Sequence, residues 1–98
     1  MSALWIAHVT ITDPAGFKEY ARRAAPVIEA HGGEYLTRGG VSIHLEGTER
    51  ERHVVIRFPT LDDARACYES EDYREAMGYA EGASTRDLVI VEENGRGA

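Results

Sequence analysis

Ninety-eight residues, 43% hydrophobic and 29% charged, make one small globular domain over 1–98 rather than a disordered chain. Seventeen acidic against eleven basic side chains give a formal charge of −6, which argues against nucleic-acid and anionic-membrane partners, since both draw on clustered Lys and Arg. Cys67 stands alone, no apolar run approaches the ~20 residues of a membrane span, and Met-Ser-Ala-Leu-Trp-Ile-Ala-His lacks the regions of a signal peptide, so a cytoplasmic protein is expected.

Residues 4–11, Leu-Trp-Ile-Ala-His-Val-Thr-Ile, are rich in β-branched and aromatic types and predict a first strand. Alternation puts Trp5, Ala7, Val9 and Ile11 on one wholly apolar face, and Leu4, Ile6, His8 and Thr10 on a mixed one. Asp13 as N-cap and Pro14 at the first helical position predict a helix start. Phe17, Tyr20, Ala21, Ala24, Val27, Ile28 and His31 then recur as one buried stripe, which Pro26 is expected to bend. Gly32-Gly33 falls where a helix C-cap needs a residue tolerant of positive φ.

A second strand is expected over 34–38 and, past the break at Gly39-Gly40, again over 41–46. The polar, charged residues 47–52 suit an exposed hairpin connection, and 53–58, ending at Pro59, predict a third strand. Thr60-Leu-Asp-Asp63 resembles a capping box opening a second helix, with Leu61, Ala64, Cys67 and Tyr68 inward. Ser70 recaps a further short helical piece through Tyr73, Ala76 and Met77, with Glu71 and Asp72 facing the positive end of its dipole. Residues 82–85 predict a loop, 88–91 a fully apolar fourth strand, and 95–98 a frayed end.

The order β-α-β-β-α-β is the ferredoxin-like split unit: an α+β fold with a four-stranded antiparallel sheet and helices on one face, expected on the Trp5 side. Two helices cover one face of such a sheet. Leu4, Ile6, Val55 and the last strand leave the other face apolar, and a second copy is the simplest cover, so a homodimer is expected.

Trp5-Ile6, Thr12-Asp13-Pro14, Tyr20, Pro26, Gly32-Gly33, Tyr35-Leu36 and Arg38-Gly39-Gly40 carry a family resemblance in the first half. Leu45-Glu46-Gly47, Val54-Val55-Ile56, Phe58-Pro59, Ala64, Tyr68, Ser70 and Tyr73 carry it in the second. With these the chain resembles, over residues 5–93, the family called domain of unknown function 1330. The resemblance implies the dimeric α+β barrel form of the ferredoxin-like fold and no agreed activity. The family commonly has a glutamate before its Phe-Pro pair, where this chain has Arg57.

The candidate chemistry is sparse. The four histidines form no His-x-His or helical His-x-x-x-His pair, Cys67 has no Cys-x-x-Cys partner, and His44 with Glu46 is two ligands without a third, so no metal is expected. The glycine pairs lack the spacing of a nucleotide-binding loop, so no cofactor is expected. His8 on the mixed face of the first strand is the candidate proton-transfer group, since histidine is the side-chain type suited to proton transfer near neutral pH. His44 and Arg57 are expected to share that face with Arg38 at its rim, either Arg38 or Arg57 holding an anionic ligand, and Tyr35 is a further ligand-contact candidate. The favoured function is a homodimer that binds or transforms a small, anionic organic molecule without metal or nucleotide. The alternative is a non-catalytic structural or regulatory homodimer whose pocket is filled by side chains. An RNA-recognition reading fails on charge and on the missing aromatic pattern of His-Val-Val-Ile-Arg-Phe.

Overall fold

Alternation in β1 (Ala3–Ile11) decides the layering. The computed structural model describes residues 1–95; positions 96–98, where fraying was expected, lie outside them. Ala3, Trp5, Ala7 and Val9 are buried under helices, whereas Leu4, Ile6 and His8 point to the uncovered face. After α1 (Pro14–Ala30) and β2 (Glu34–Arg38), the chain runs through β3 (Arg52–Phe58), α2 (Leu61–Glu69), α3 (Glu71–Ala80) and β4 (Ser84–Glu92). The four strands form one antiparallel sheet in the order β2-β3-β1-β4, with β1 central and bonded to both β3 and β4.

Register turns this order into rows of side chains. On the helix-covered face, Ile56–Trp5–Ile90 and Val54–Ala7–Leu88 lie side by side across three strands. Trp5 is the hub, its ring 5.1 Å from Tyr73 and 5.8 Å from both Phe58 and Tyr68. Phe17, Ala24 and Ile28 of α1 close over this layer, together with Ala64 and Cys67 of α2 and Tyr73 and Ala76 of α3. Burial pushes the Cys67 thiol up to about 11, so it is an inert core side chain. The uncovered face carries the rows Arg57–Leu4–Val91, Val55–Ile6–Val89 and His53–His8–Asp87. Val89 and Val91 are 53% and 46% exposed there, and the Cα envelope is only 17 Å thick.

The caps follow local chemistry. Thr60 Oγ1 accepts from the Asp63 N–H at 3.0 Å, and Ser70 Oγ from the Tyr73 N–H at 3.1 Å. Asp13 precedes α1 in extended conformation but its side chain makes no cap hydrogen bond. At the far end His31 donates from Nδ1 to the Val27 carbonyl at 2.9 Å, and Gly32 turns the chain at φ +86°. A Cβ on Gly32 would also lie 3.0 Å from the Pro59 ring. Gly32→Val is therefore expected to cost about 1–3 kcal/mol, read as a lowered melting temperature.

Two expected elements differ. Residues 41–46 form no strand: after the Gly39 N–H reaches the His53 carbonyl at 3.4 Å, Gly39 turns at φ +82° and the chain leaves the edge of β3. Val41, Ile43 and Leu45 stand 105%, 83% and 83% exposed on the resulting arm. β4, in contrast, starts at Ser84 rather than at 88, because pairing with β1 continues through Arg86 opposite Val9 and Thr85 opposite Thr10 to Ser84 opposite Ile11.

Candidate ligand-binding site

One row on the helix-covered face is not apolar. Arg52 and Arg86 flank Val9 from β3 and β4, and both guanidinium-bearing side chains turn under α1. Arg38 joins them through an irregularity in β2. Tyr35 pairs with Ile56, but Thr37 pairs with Val55 and Arg38 with Val54, so one extra residue sits between Tyr35 and Thr37. That bulge reverses the alternation and sends Arg38 to the helix side, its guanidinium 4.3 Å from the centre of the Tyr35 ring.

The three arginines border a cavity of about 40 Å³ between sheet and α1, walled by Trp5, Phe17, Tyr35 and Ile56. A space of that size holds a group little larger than one water molecule, whose share of liquid volume is ~30 Å³. Arg52 Nε is buried and has no hydrogen-bond partner, while its guanidinium carbon lies 5.7 Å from the Phe17 ring centre. Arg86 donates from Nη2 to the Tyr73 hydroxyl at 3.0 Å and lies 5.0 Å from the Tyr20 ring centre. The Tyr20 and Tyr73 hydroxyls are themselves 2.8 Å apart. Burial pushes the Tyr35 phenol up to about 12, against a smaller opposing pull from Arg38, and burial also raises Tyr73, so both stay protonated at neutral pH. Among the described residues none of Arg38, Arg52 and Arg86 has a carboxylate partner, in a chain of net charge −6.

The uncovered face presents a second, open group. His8 and His53 meet at 2.7 Å through their Nδ1 atoms, so one ring carries the shared proton and the other accepts it. With His44, Glu46, Arg50 and Asp87 they line a concavity of about 390 Å³. Its charges are already balanced in part, since Arg50 is 3.1 Å from Asp87. His44 reaches it from the arm rather than from a strand, its Nε2 donating to the Gly47 carbonyl at 2.8 Å. Among the described residues no group of three or more His, Cys, Asp or Glu side chains is arranged to hold a metal ion.

The expected site residues thus divide. His8 and His44 come together, joined by His53, which the sequence did not single out. Arg57 shares their sheet face but lies one strand end away, 2.7 Å from Glu93, and that hydrogen bond holds the Glu93 carboxyl below its usual range. Tyr35 lies on the opposite face, in the wall of the cavity there, with Arg38 at that cavity's exposed rim. Of the expected group, His8, His44 and Arg57 lie on the uncovered side. Arg57 is apart from the His8 concavity, however, and Arg38 is not at its rim, the β2 bulge being the reason for Arg38. Arg52 and Arg86 were not singled out in the sequence, yet parity marks both: counting back by two from Ile90 through Leu88 reaches Arg86, and from Ile56 through Val54 reaches Arg52.

An antiparallel β2-β3-β1-β4 sheet with its helices on one face defines a ferredoxin-like α+β protein. The sequence matches the model of the family described as domain of unknown function (DUF1330) over residues 2–94, and the chain belongs to that family. No curated protein matches the sequence. Among solved structures, the RPA0582 protein of unknown function from Rhodopseudomonas palustris is 18% identical at a TM-score of 0.76, covering 96% of this chain and 83% of its own. SnoaB from Streptomyces nogalater, described as a cofactor-independent oxygenase, is 14% identical at 0.66, covering 96% and 94%. A dimeric ferredoxin-like protein of unknown function from Thermobifida fusca is 18% identical at 0.64, covering 95% and 92%. At these identities the likeness is one of fold. Among the described residues no helix is long and apolar enough to cross a membrane.

Proposed function

We propose that this protein is a cytoplasmic homodimer that binds or transforms a small organic anion in the arginine-lined cavity beneath α1, without metal or nucleotide. The observation that carries the reading is Arg52 Nε, a buried charged donor with no partner, beside two further guanidiniums that lack carboxylates. A buried guanidinium donor left without a partner opposes folding through desolvation, and an arriving anion relieves that cost. The cavity is otherwise apolar and aromatic, which suits an organic anion better than a free inorganic one. That a cofactor-independent oxygenase shares the fold supports a scaffold able to handle organic molecules unaided. The His8 concavity is open and partly self-neutralised, so it is the weaker candidate.

The homodimer reading is supported by the uncovered face, where Val55, Ile6 and Val89 form an apolar row, and by the dimeric state described for the Thermobifida fusca protein. Titration calorimetry with formate, acetate and propionate tests the ligand reading. Each is expected to bind at millimolar concentrations or better and to raise the melting temperature. Arg52→Met should weaken binding by roughly tenfold or more, the loss expected for a charge-assisted hydrogen bond, whereas Arg65→Met on exposed α2 should not. Failure of all three carboxylates to bind would favour a structural dimer with a filled pocket.

A further inference from the structure

We propose that the ligand is an amphiphilic monocarboxylate whose head enters the arginine-lined cavity and whose apolar body lies in the cleft between β4 and α3; this rests on the anion-binding reading above. Arg86 borders both spaces. On one side it closes the small cavity. On the other it ends an open cleft of about 340 Å³ with an apolar side, Leu88 of β4 and Tyr68, Met77 and Ala80 of the helices, and a polar side formed by Ser84, Glu81 and Arg86 itself. Leu88 follows Arg86 along the same face of β4, so the strand itself sets a charged position next to an apolar one.

The sizes fit this division. The cavity takes a carboxylate and little more, whereas the cleft is at the lower end of the ~300–1,000 Å³ typical of ligand pockets and suits a body of roughly six to ten carbons. Arg52 and Arg86 stand two strand spacings apart, about 9.5 Å between backbones, within reach of a single carboxylate for two long side chains. A carboxylate that takes Arg86 from the Tyr73 hydroxyl joins the two spaces. Glu81 at the cleft's margin sets the remaining specificity: a second negative group on the body meets like charge there.

The test is titration calorimetry with straight-chain carboxylates from acetate to decanoate and with the eight-carbon dicarboxylate suberate. Affinity is expected to rise about fourfold per added methylene (about 0.8 kcal/mol per CH₂) until the cleft is full, and suberate to bind more weakly than octanoate. Met77→Trp, which fills the cleft, should reduce the ratio of octanoate to acetate affinity by more than tenfold, and the exposed Glu81→Gln should narrow the gap between suberate and octanoate. Affinity independent of chain length, or a chain-length gain untouched by Met77→Trp with suberate binding as well as octanoate, overturns the proposal. If short carboxylates still bind through Arg52 in that case, the anion-binding reading survives it. If no carboxylate binds, both fall.

Discussion

Trp5→Ala is expected to lower the unfolding free energy by about 3–5 kcal/mol, the range for truncating a large buried aromatic. Trp5 is 1% exposed at the centre of the sheet, with Phe58, Tyr68 and Tyr73 around its ring. These neighbours belong to β3, α2 and α3, so the vacated space borders three elements that cannot all collapse into it. Urea denaturation at fixed protein concentration measures the loss, and a change below about 1 kcal/mol would mean that the core closes readily over the gap. Ligand binding should weaken along with stability, because Trp5 also walls the arginine-lined cavity.

Ile6→Asp should convert the proposed dimer to a monomer. Ile6 is the middle of the row Val55–Ile6–Val89 on the uncovered face. A stable interface buries roughly 800 Å² per partner, and an unpaired carboxylate at its apolar centre costs several kcal/mol. Sedimentation equilibrium should give twice 10.8 kDa for the parent chain and 10.8 kDa for the variant, with Lys18→Asp on exposed α1 remaining dimeric. A parent chain that sediments as a monomer at micromolar concentration would remove the dimer from the functional reading.

Much of this fold is legible in the sequence because short-range rules govern it. Period two in β1 separates Trp5, Ala7 and Val9 from Leu4 and Ile6, and burial follows that division. Thr60 and Ser70 announce their helices through side-chain caps that form as expected. The site was less legible for two reasons. Apolar strands are easily read short: a last strand beginning at 88 leaves Arg86 outside it, where its placement across from Val9 cannot be seen. The arm at 41–46 shows the opposite error, since its strand-like alternation lacks a neighbouring strand and Gly39 directs it away from the sheet. The position of Arg38 depends on a bulge, and a bulge is a tertiary decision about pairing that local propensity does not encode.

That bulge makes the pairing of β2 a determinant of what the cavity contains. Were Leu36 to pair with Val55 at unchanged length, Thr37 would face Val54 and Arg38 would pass to the outer face beside His53. Removing Leu36 instead leaves Thr37 opposite Val55 and Arg38 opposite Val54, so the shortened strand keeps its arginine at the cavity. Among descendants of this chain, loss of the residue at Leu36 should leave ligand preference and assembly intact, whereas changes that straighten β2 at constant length should alter both together.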